Sequence, residues 1–244
     1  MTNRYFVYLS YDGTLYHGWQ IQPNGSSVQD VLQRALSLIL RSNISVVGAG
    51  RTDAGVHARL MVVHFDTEAS FACKNLSYKL NRILPPDISV SKIERVDNDF
   101  HARLSAKSRT YHYYIHTCKD TFCRHYSCEL HYELDYDNMN EAASHLLTVE
   151  DFGSFCKSHS DTKTTICKVY EAEWIRDGAY RWHFRITANR FLRNMVRAVV
   201  GTLIDVGRGR ISLSEFDAIV SGHNRSAAGE SMPGSALFLE NVEY

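Results

Sequence analysis

The chain has 244 residues, 27 basic and 27 acidic side chains, and a formal net charge of zero. That length allows one large domain or two small ones with room for a core, and the composition is that of an ordinary soluble protein. No apolar run reaches the roughly 18 residues of a membrane helix, and the N-terminus has no charged-then-apolar export pattern, so the expectation is cytoplasmic residence.

Tyr5 to Tyr11, rich in aromatic and aliphatic residues, predicts a strand. Asp12-Gly13-Thr14 turns it, and Leu15 to Gly25 is expected to be a loop. Ser27 caps a helix, with Asp30 at the capping-box position, and Val28, Leu32, Ala35, Leu36, Ile39 and Leu40 recur at helical spacing. Strands are expected over Ile44 to Val47 and Leu60 to Phe65, a helix over Asn75 to Leu84 stopped by Pro85-Pro86, and a strand over Ile88 to Val96. Beyond residue 105 the mixture repeats. Strands are predicted over Ser108 to His116, Ile166 to Ile175 and Tyr180 to Ala188, and helices over Met139 to Leu147 and Phe191 to Val206. A short helix capped by Ser212 with Glu215, and a final strand over Leu237 to Val242, complete the chain. Without a steady strand–helix–strand rhythm this is α+β with largely antiparallel sheet. The halves suggest two similar α/β subdomains, 1–104 and 105–244.

Six cysteines at 73, 118, 123, 128, 156 and 167 lack paired zinc-finger spacing and are expected as reduced thiols. The segment from Cys118 to Cys128 is expected to be a loop or hairpin rather than a metal site, and no cofactor or metal is expected. Basic residues cluster at Arg51 and Arg59, at Arg103, Lys107 and Arg109, at Arg190, Arg193 and Arg197, and at Arg208 and Arg210.

Asp53 is the only acidic residue between Ile44 and Phe65, in the run Gly48-Ala49-Gly50-Arg51-Thr52-Asp53-Ala54-Gly55-Val56-His57-Ala58. A guanidinium two residues away favours the ionised carboxylate, and the glycines admit a ligand or another backbone. The run fails the dinucleotide fingerprint, because Asp53 stands where its third glycine would fall, and no Gly-Lys-Ser/Thr follows for a phosphate loop. Taken alone, the residues serve a catalytic carboxylate and a structural turn about equally.

Gly50-Arg51-Thr52-Asp53-Ala54-Gly55-Val56-His57-Ala58 resembles the catalytic motif of the tRNA pseudouridine synthase A family. The resemblance extends over nearly the whole chain. It includes Tyr11-Asp12-Gly13-Thr14, Tyr16-His17-Gly18-Trp19-Gln20, Ser27-Val28-Gln29, Leu80-Asn81 with Leu84-Pro85, and Phe100-His101-Ala102-Arg103. Arg109, Tyr111 and Tyr113, Asp151-Phe152, Asn189 with Phe191, and Met195-Val196-Arg197 with Val200-Gly201 continue it. Leu60 and Met61 depart from it, standing where the family usually carries glycine and glutamine, and the small-residue pattern before the last strand is shifted at Met232 to Leu237.

The resemblance implies Asp53 as nucleophile, attacking either C1′ of the ribose or C6 of the base. It implies Arg197 as the charge partner of that carboxylate, against a plain helix-surface reading in which Arg193 and Arg197 share a face. Arg51 would displace the target nucleotide and hold its phosphate. Tyr111 would stack on the uracil and serve the late loss of the C5 proton, and Phe191 and Met195 would wall the pocket. By strand periodicity alone Tyr111 reads as a core aromatic, and at helical spacing Phe191 and Met195 are equally good core residues. His57 and His101 lie in matching blocks without an assigned catalytic role. The resemblance further implies two subdomains meeting at a central active-site cleft, a homodimer, and the tRNA anticodon stem-loop as partner, with uridine isomerised at positions 38, 39 and 40. A non-catalytic tRNA-binding protein and an aspartate-dependent nucleoside glycosidase or transferase are the competing readings.

Overall fold

The computed structural model describes residues 2–157 and 162–244. It is a mixed α/β structure with largely antiparallel sheet, divided into two compact units: residues Met1–Lys107 with Leu239–Tyr244, and residues Ser108–Phe238.

In the first unit β1 (Asn3–Tyr11) lies between β3 (His57–Thr67) and β4 (Ile88–Val96), antiparallel to both. The short β2 (Val46–Gly48) pairs with the far part of β3, Val46 opposite Phe65 and Gly48 opposite Val63. β9 (Leu237–Glu243), of which Leu239–Glu243 belongs to this unit, neighbours β3 on its other side. Helix α1 (Val28–Leu40) starts where predicted, because the Ser27 hydroxyl accepts the Asp30 N–H. Asp30's own carboxylate turns to Arg34 one turn on. Its apolar stripe, Val28, Leu32, Ala35 and Leu36, is buried as the 3.6 period demands. Helix α2 (Cys73–Ile83) packs on β4. Asn81 fixes that pairing with two 2.7 Å hydrogen bonds to the backbone of Val90. Phe6, Leu9, Met61 and Phe65 are fully buried among these elements, each contributing about 1.5–3 kcal/mol by leaving water.

In the second unit β5 (Ser108–His116), β8 (Arg181–Ala188) and β7 (Val169–Arg176) form an antiparallel run, with Tyr111 opposite Ile186. A two-residue β6 (Cys128–Glu129) joins Ile115–His116 in parallel. Helix α3 (Tyr136–His145) packs on β7 and on α4 (Met195–Gly207). Helix α5 (Leu213–Ser221) begins at a complete capping box between Ser212 and Glu215. The buried set is Tyr113, Phe184, Ile186, Met139, Val199, Leu203 and Phe216.

One element differs from expectation in a way that bears on function. The predicted helix over Phe191 to Val206 starts only at Met195. Asn194 holds a left-handed backbone, φ 69°, with its amide donating to Ser231 at 2.6 Å. Asparagine tolerates that conformation where most residues do not. Phe191 to Asn194 therefore form a turn leading into α4, and Arg193 does not share a helix face with Arg197. Smaller shifts follow the same logic: β3 runs on to His57 because it pairs with β1 as far as Ala58, and α3 begins at its Asp135 cap, earlier than apolar spacing alone suggested.

Candidate active site

Asp53 sits in the connection between β2 and β3. Ala49 still donates to Val62 at 2.8 Å, and the chain then leaves the sheet. It returns through a four-residue turn in which Val56 N donates to Asp53 O at 3.2 Å and Gly55 takes φ +74°. A positive φ at the third turn position is the reason for glycine there.

A second stretch, residues 11–19, grips this loop from behind. Trp19 N donates to Thr52 O at 3.1 Å and Gly55 N to Tyr16 O at 3.3 Å. The Tyr11 hydroxyl and Thr52 Oγ1 share a buried 2.9 Å hydrogen bond, and the Tyr11 and Trp19 rings stack 6.2 Å apart. Gly18, at φ +89°, passes so close that a Cβ would stand 2.4 Å from Thr52 O and 3.1 Å from the carbonyl carbon of Asp53. His57 is buried, with Nδ1 3.0 Å from both the Gly13 N–H and Asp12 Oδ1. One tautomer serves one of those partners at a time.

The consequence is a loop whose inner side is locked and whose outer side is open. Thr52, Val56 and His57 are buried, Asp53 is half-buried, and Arg51 and Ala54 are exposed. Beside Arg51, the position a Gly50 Cβ would take is open space. The arrangement fixes the backbone of Asp53 and leaves the Arg51 guanidinium of the same loop exposed.

The Phe100–Arg103 block has a structural task. His101 Nδ1 accepts from the backbones of Arg103 (3.1 Å) and Leu104 (3.2 Å). Ala102 N donates to Nδ1 of buried His64 at 3.1 Å, and Ala102 O accepts from the Tyr244 hydroxyl at 2.7 Å. That acceptor role needs a neutral His64, and burial, reinforced by Arg4, lowers its pKa to about 4.

In the second unit the structure brings Tyr111 and Phe191 together, edge to face with ring centroids 5.0 Å apart. Tyr111 is 8% exposed and Phe191 is half-buried. Met195 opens α4 fully buried. Arg197, half-exposed two residues on, donates through Nε to Met232 O at 2.5 Å, and its own carbonyl accepts from Met232 N at 3.2 Å. Arg109 donates to Asn189 O at 2.7 Å, and Asn189 Oδ1 accepts from Lys168 N at 2.8 Å. These bonds hold the approach to Phe191 in place. Met195 and Tyr111 are thus buried, while Phe191 and Arg197 are partly accessible.

Sequence reasoning overlooked Tyr11, Thr52, Gly18 and Trp19 as positioning residues. Several stand inside the blocks that carried the family resemblance, but nothing in their types or spacing says that the two blocks touch. Among the described residues, no group of three His, Cys, Asp or Glu side chains is placed to hold a metal ion.

Residues 8–105 and 142–244 match a family model described as tRNA pseudouridine synthase. The chain belongs to the tRNA pseudouridine synthase family. It is 57% identical over 242 residues to tRNA pseudouridine synthase A of Bacteroides fragilis, covering 99% of this chain and 96% of that protein. It is 56% identical over 243 residues to the enzyme of that name from Bacteroides thetaiotaomicron, covering 99% and 90%. The protein of the same name from Bacillus subtilis is 43% identical over 240 residues, covering 97% of each chain. The tRNA pseudouridine synthase match contains the whole Asp53 loop, the stretch that grips it, and Phe191 to Arg197. Tyr111 lies in the intervening stretch between the two matched ranges.

Proposed function

We propose that this chain isomerises uridine to pseudouridine in tRNA, with Asp53 as the nucleophile. The isomerase class and the tRNA substrate follow from family membership. The observation that carries Asp53 is its loop: a half-buried aspartate on a turn whose backbone is held by the stretch 11–19. Rigid placement of a nucleophile lowers the barrier by removing the entropy of bringing reactants together.

The N1–C1′ bond of uridine breaks, the uracil turns, a C5–C1′ bond forms, and the C5 proton leaves. Attack of the carboxylate at C1′ or at C6 both satisfy this sequence. Arg51, exposed on the same loop, takes a phosphate beside the extruded nucleotide. Tyr111, with the Phe191 ring against it, contacts the uracil, and Met195 and Arg197 belong to the same substrate-binding set. Substrate uridines are positions 38, 39 and 40 of the anticodon stem-loop, the active species is a homodimer, and the tRNA substrate places the enzyme in the cytoplasm.

The test is turnover of tRNA transcripts carrying uridine at those positions. Wild type is expected to form pseudouridine, and Asp53→Ala to form none while still binding tRNA. Product from Asp53→Ala would sink the nucleophile assignment. Binding without turnover by wild type would identify a tRNA-binding protein, and turnover of free nucleosides alone would identify a glycosidase or transferase.

A further inference from the structure

Residues 117–131, which carry the exposed side chains of Lys119, Phe122, Arg124 and Tyr126, have no part in the site above. They also fall between the two ranges matched by the family model. The segment leaves β5 beside Tyr180, to whose carbonyl Thr117 N donates at 3.0 Å. It returns through β6, with Leu130 N donating to His116 O at 2.9 Å. Between these anchors it is a built turn. The Asp120 carboxylate accepts from Phe122 N at 2.8 Å and from Cys123 N at 3.4 Å. That turn holds Phe122 outward at 93% exposure, with Tyr126 43% exposed nearby in sequence.

Its surroundings are cationic. Lys119 and Arg124 are exposed on the segment itself. Arg181, at the start of β8, is close enough for its charge to act on Asp120 and Cys123. Arg208 lies 4.0 Å over the ring of Tyr132, just after the segment. The carboxylates within the segment are engaged, Asp120 with the turn and Glu129 near His116 and His131. Exposed aromatic rings interleaved with guanidinium and ammonium groups suit single-stranded bases and phosphates. They suit an uncharged or basic partner poorly.

The place of this surface matters. Arg208 follows the C-terminal end of α4, where Gly207 O accepts from Asp135 N at 2.8 Å. Phe191, Met195 and Arg197 lie at the other end. Thirteen residues of helix separate them by about 20 Å. A contact there meets RNA well removed from the target nucleotide.

We propose that segment 117–131, with Arg181 and Arg208, is a second tRNA-contacting surface that stacks Phe122 on an unpaired base and pairs its cations with phosphates of the tRNA body. This rests on the tRNA reading above and extends it to a part of the chain outside that site. The surface supplies affinity and leaves the chemistry at Asp53 untouched.

The experiment compares wild type, Phe122→Ala and the double variant Lys119→Ala/Arg124→Ala on full-length tRNA and on the isolated anticodon stem-loop, across salt concentrations. Each variant is expected to raise KM for full-length tRNA about tenfold with kcat unchanged, and to match wild type on the stem-loop. The double variant is expected to flatten the log KM against log salt slope by about 0.7–0.9 per cation removed. Unchanged KM on full-length tRNA at low salt would overturn the proposal. So would a Phe122→Ala protein whose sedimentation shows loss of a dimer, since the ring would then serve contact between copies. Direct tRNA binding measured in parallel separates the two readings: a wild type that binds but does not turn over sinks the activity, and the variants' binding still tests the surface.

Discussion

Replacing Gly18 by alanine tests whether the stretch behind the Asp53 loop positions the carboxylate. Gly18 has φ +89°, and an added Cβ would lie 2.4 Å from Thr52 O. Two costs follow. The left-handed backbone with a side chain costs about 1–2 kcal/mol. The contact must also open by at least about 0.6 Å to reach the 3.0 Å below which real Cβ atoms are essentially never found. The atom that must give is a backbone oxygen one residue before Asp53, so rotamer changes cannot absorb the movement. A misplacement of about 1 Å at a reacting group costs about 100-fold in rate, so a shift of this size predicts a loss in kcat of about tenfold to 100-fold, with tRNA affinity kept. The assay is release of the C5 hydrogen, as tritium, from uridine-labelled tRNA under saturating substrate, alongside thermal unfolding. Gly50→Ala is the internal control: it lies on the same loop, has no positive φ, and its Cβ would meet nothing within 4 Å. Its unfolding temperature is expected to equal that of wild type. A Gly18→Ala enzyme with wild-type kcat and stability would refute the claim that this grip sets the position of Asp53.

Three further outcomes are expected. Thr52→Val breaks the buried 2.9 Å bond to the Tyr11 hydroxyl and should destabilise the protein by about 1–3 kcal/mol in denaturant titration; the Tyr11→Phe/Thr52→Val double variant should lose less than the sum of the two single changes. His64 is held at a pKa of about 4, below its ordinary 6.5, chiefly by burial. The unfolded chain therefore takes up its proton first, and stability should fall as pH drops from about 6.5 to 4, by up to about 3 kcal/mol, and stay level above that window; a His64→Gln variant should lose this slope in a pH series of unfolding curves. Ser212→Ala removes the capping box at α5, in which Ser212 N donates to Glu215 at 2.7 Å and Glu215 N to Ser212 at 3.3 Å; the expected loss is about 1 kcal/mol with kcat unchanged.

Local signals in the chain were sufficient wherever one segment's own residues decided its conformation. The β4 and β5 spans, the Ser27 and Ser212 caps and the buried stripe of α1 follow from alternation, capping chemistry and helical spacing, all of which act over a few residues. The start of α4 was misjudged because the decisive contact, Asn194 with Ser231, comes from 37 residues away. The same distinction holds at the site. Asp53 stood out from its neighbours in the sequence, as a lone acid among glycine and arginine. That its loop is clamped by Tyr11, Gly18 and Trp19, that His57 and His101 are tied into backbone hydrogen bonds, and that Tyr111 meets Phe191 edge-on required the tertiary structure. Sequence alone determined the α+β class, most of the elements and the residue to suspect. Only the folded chain decided what holds that residue still, because such contacts form between segments whose patterns carry no information about each other.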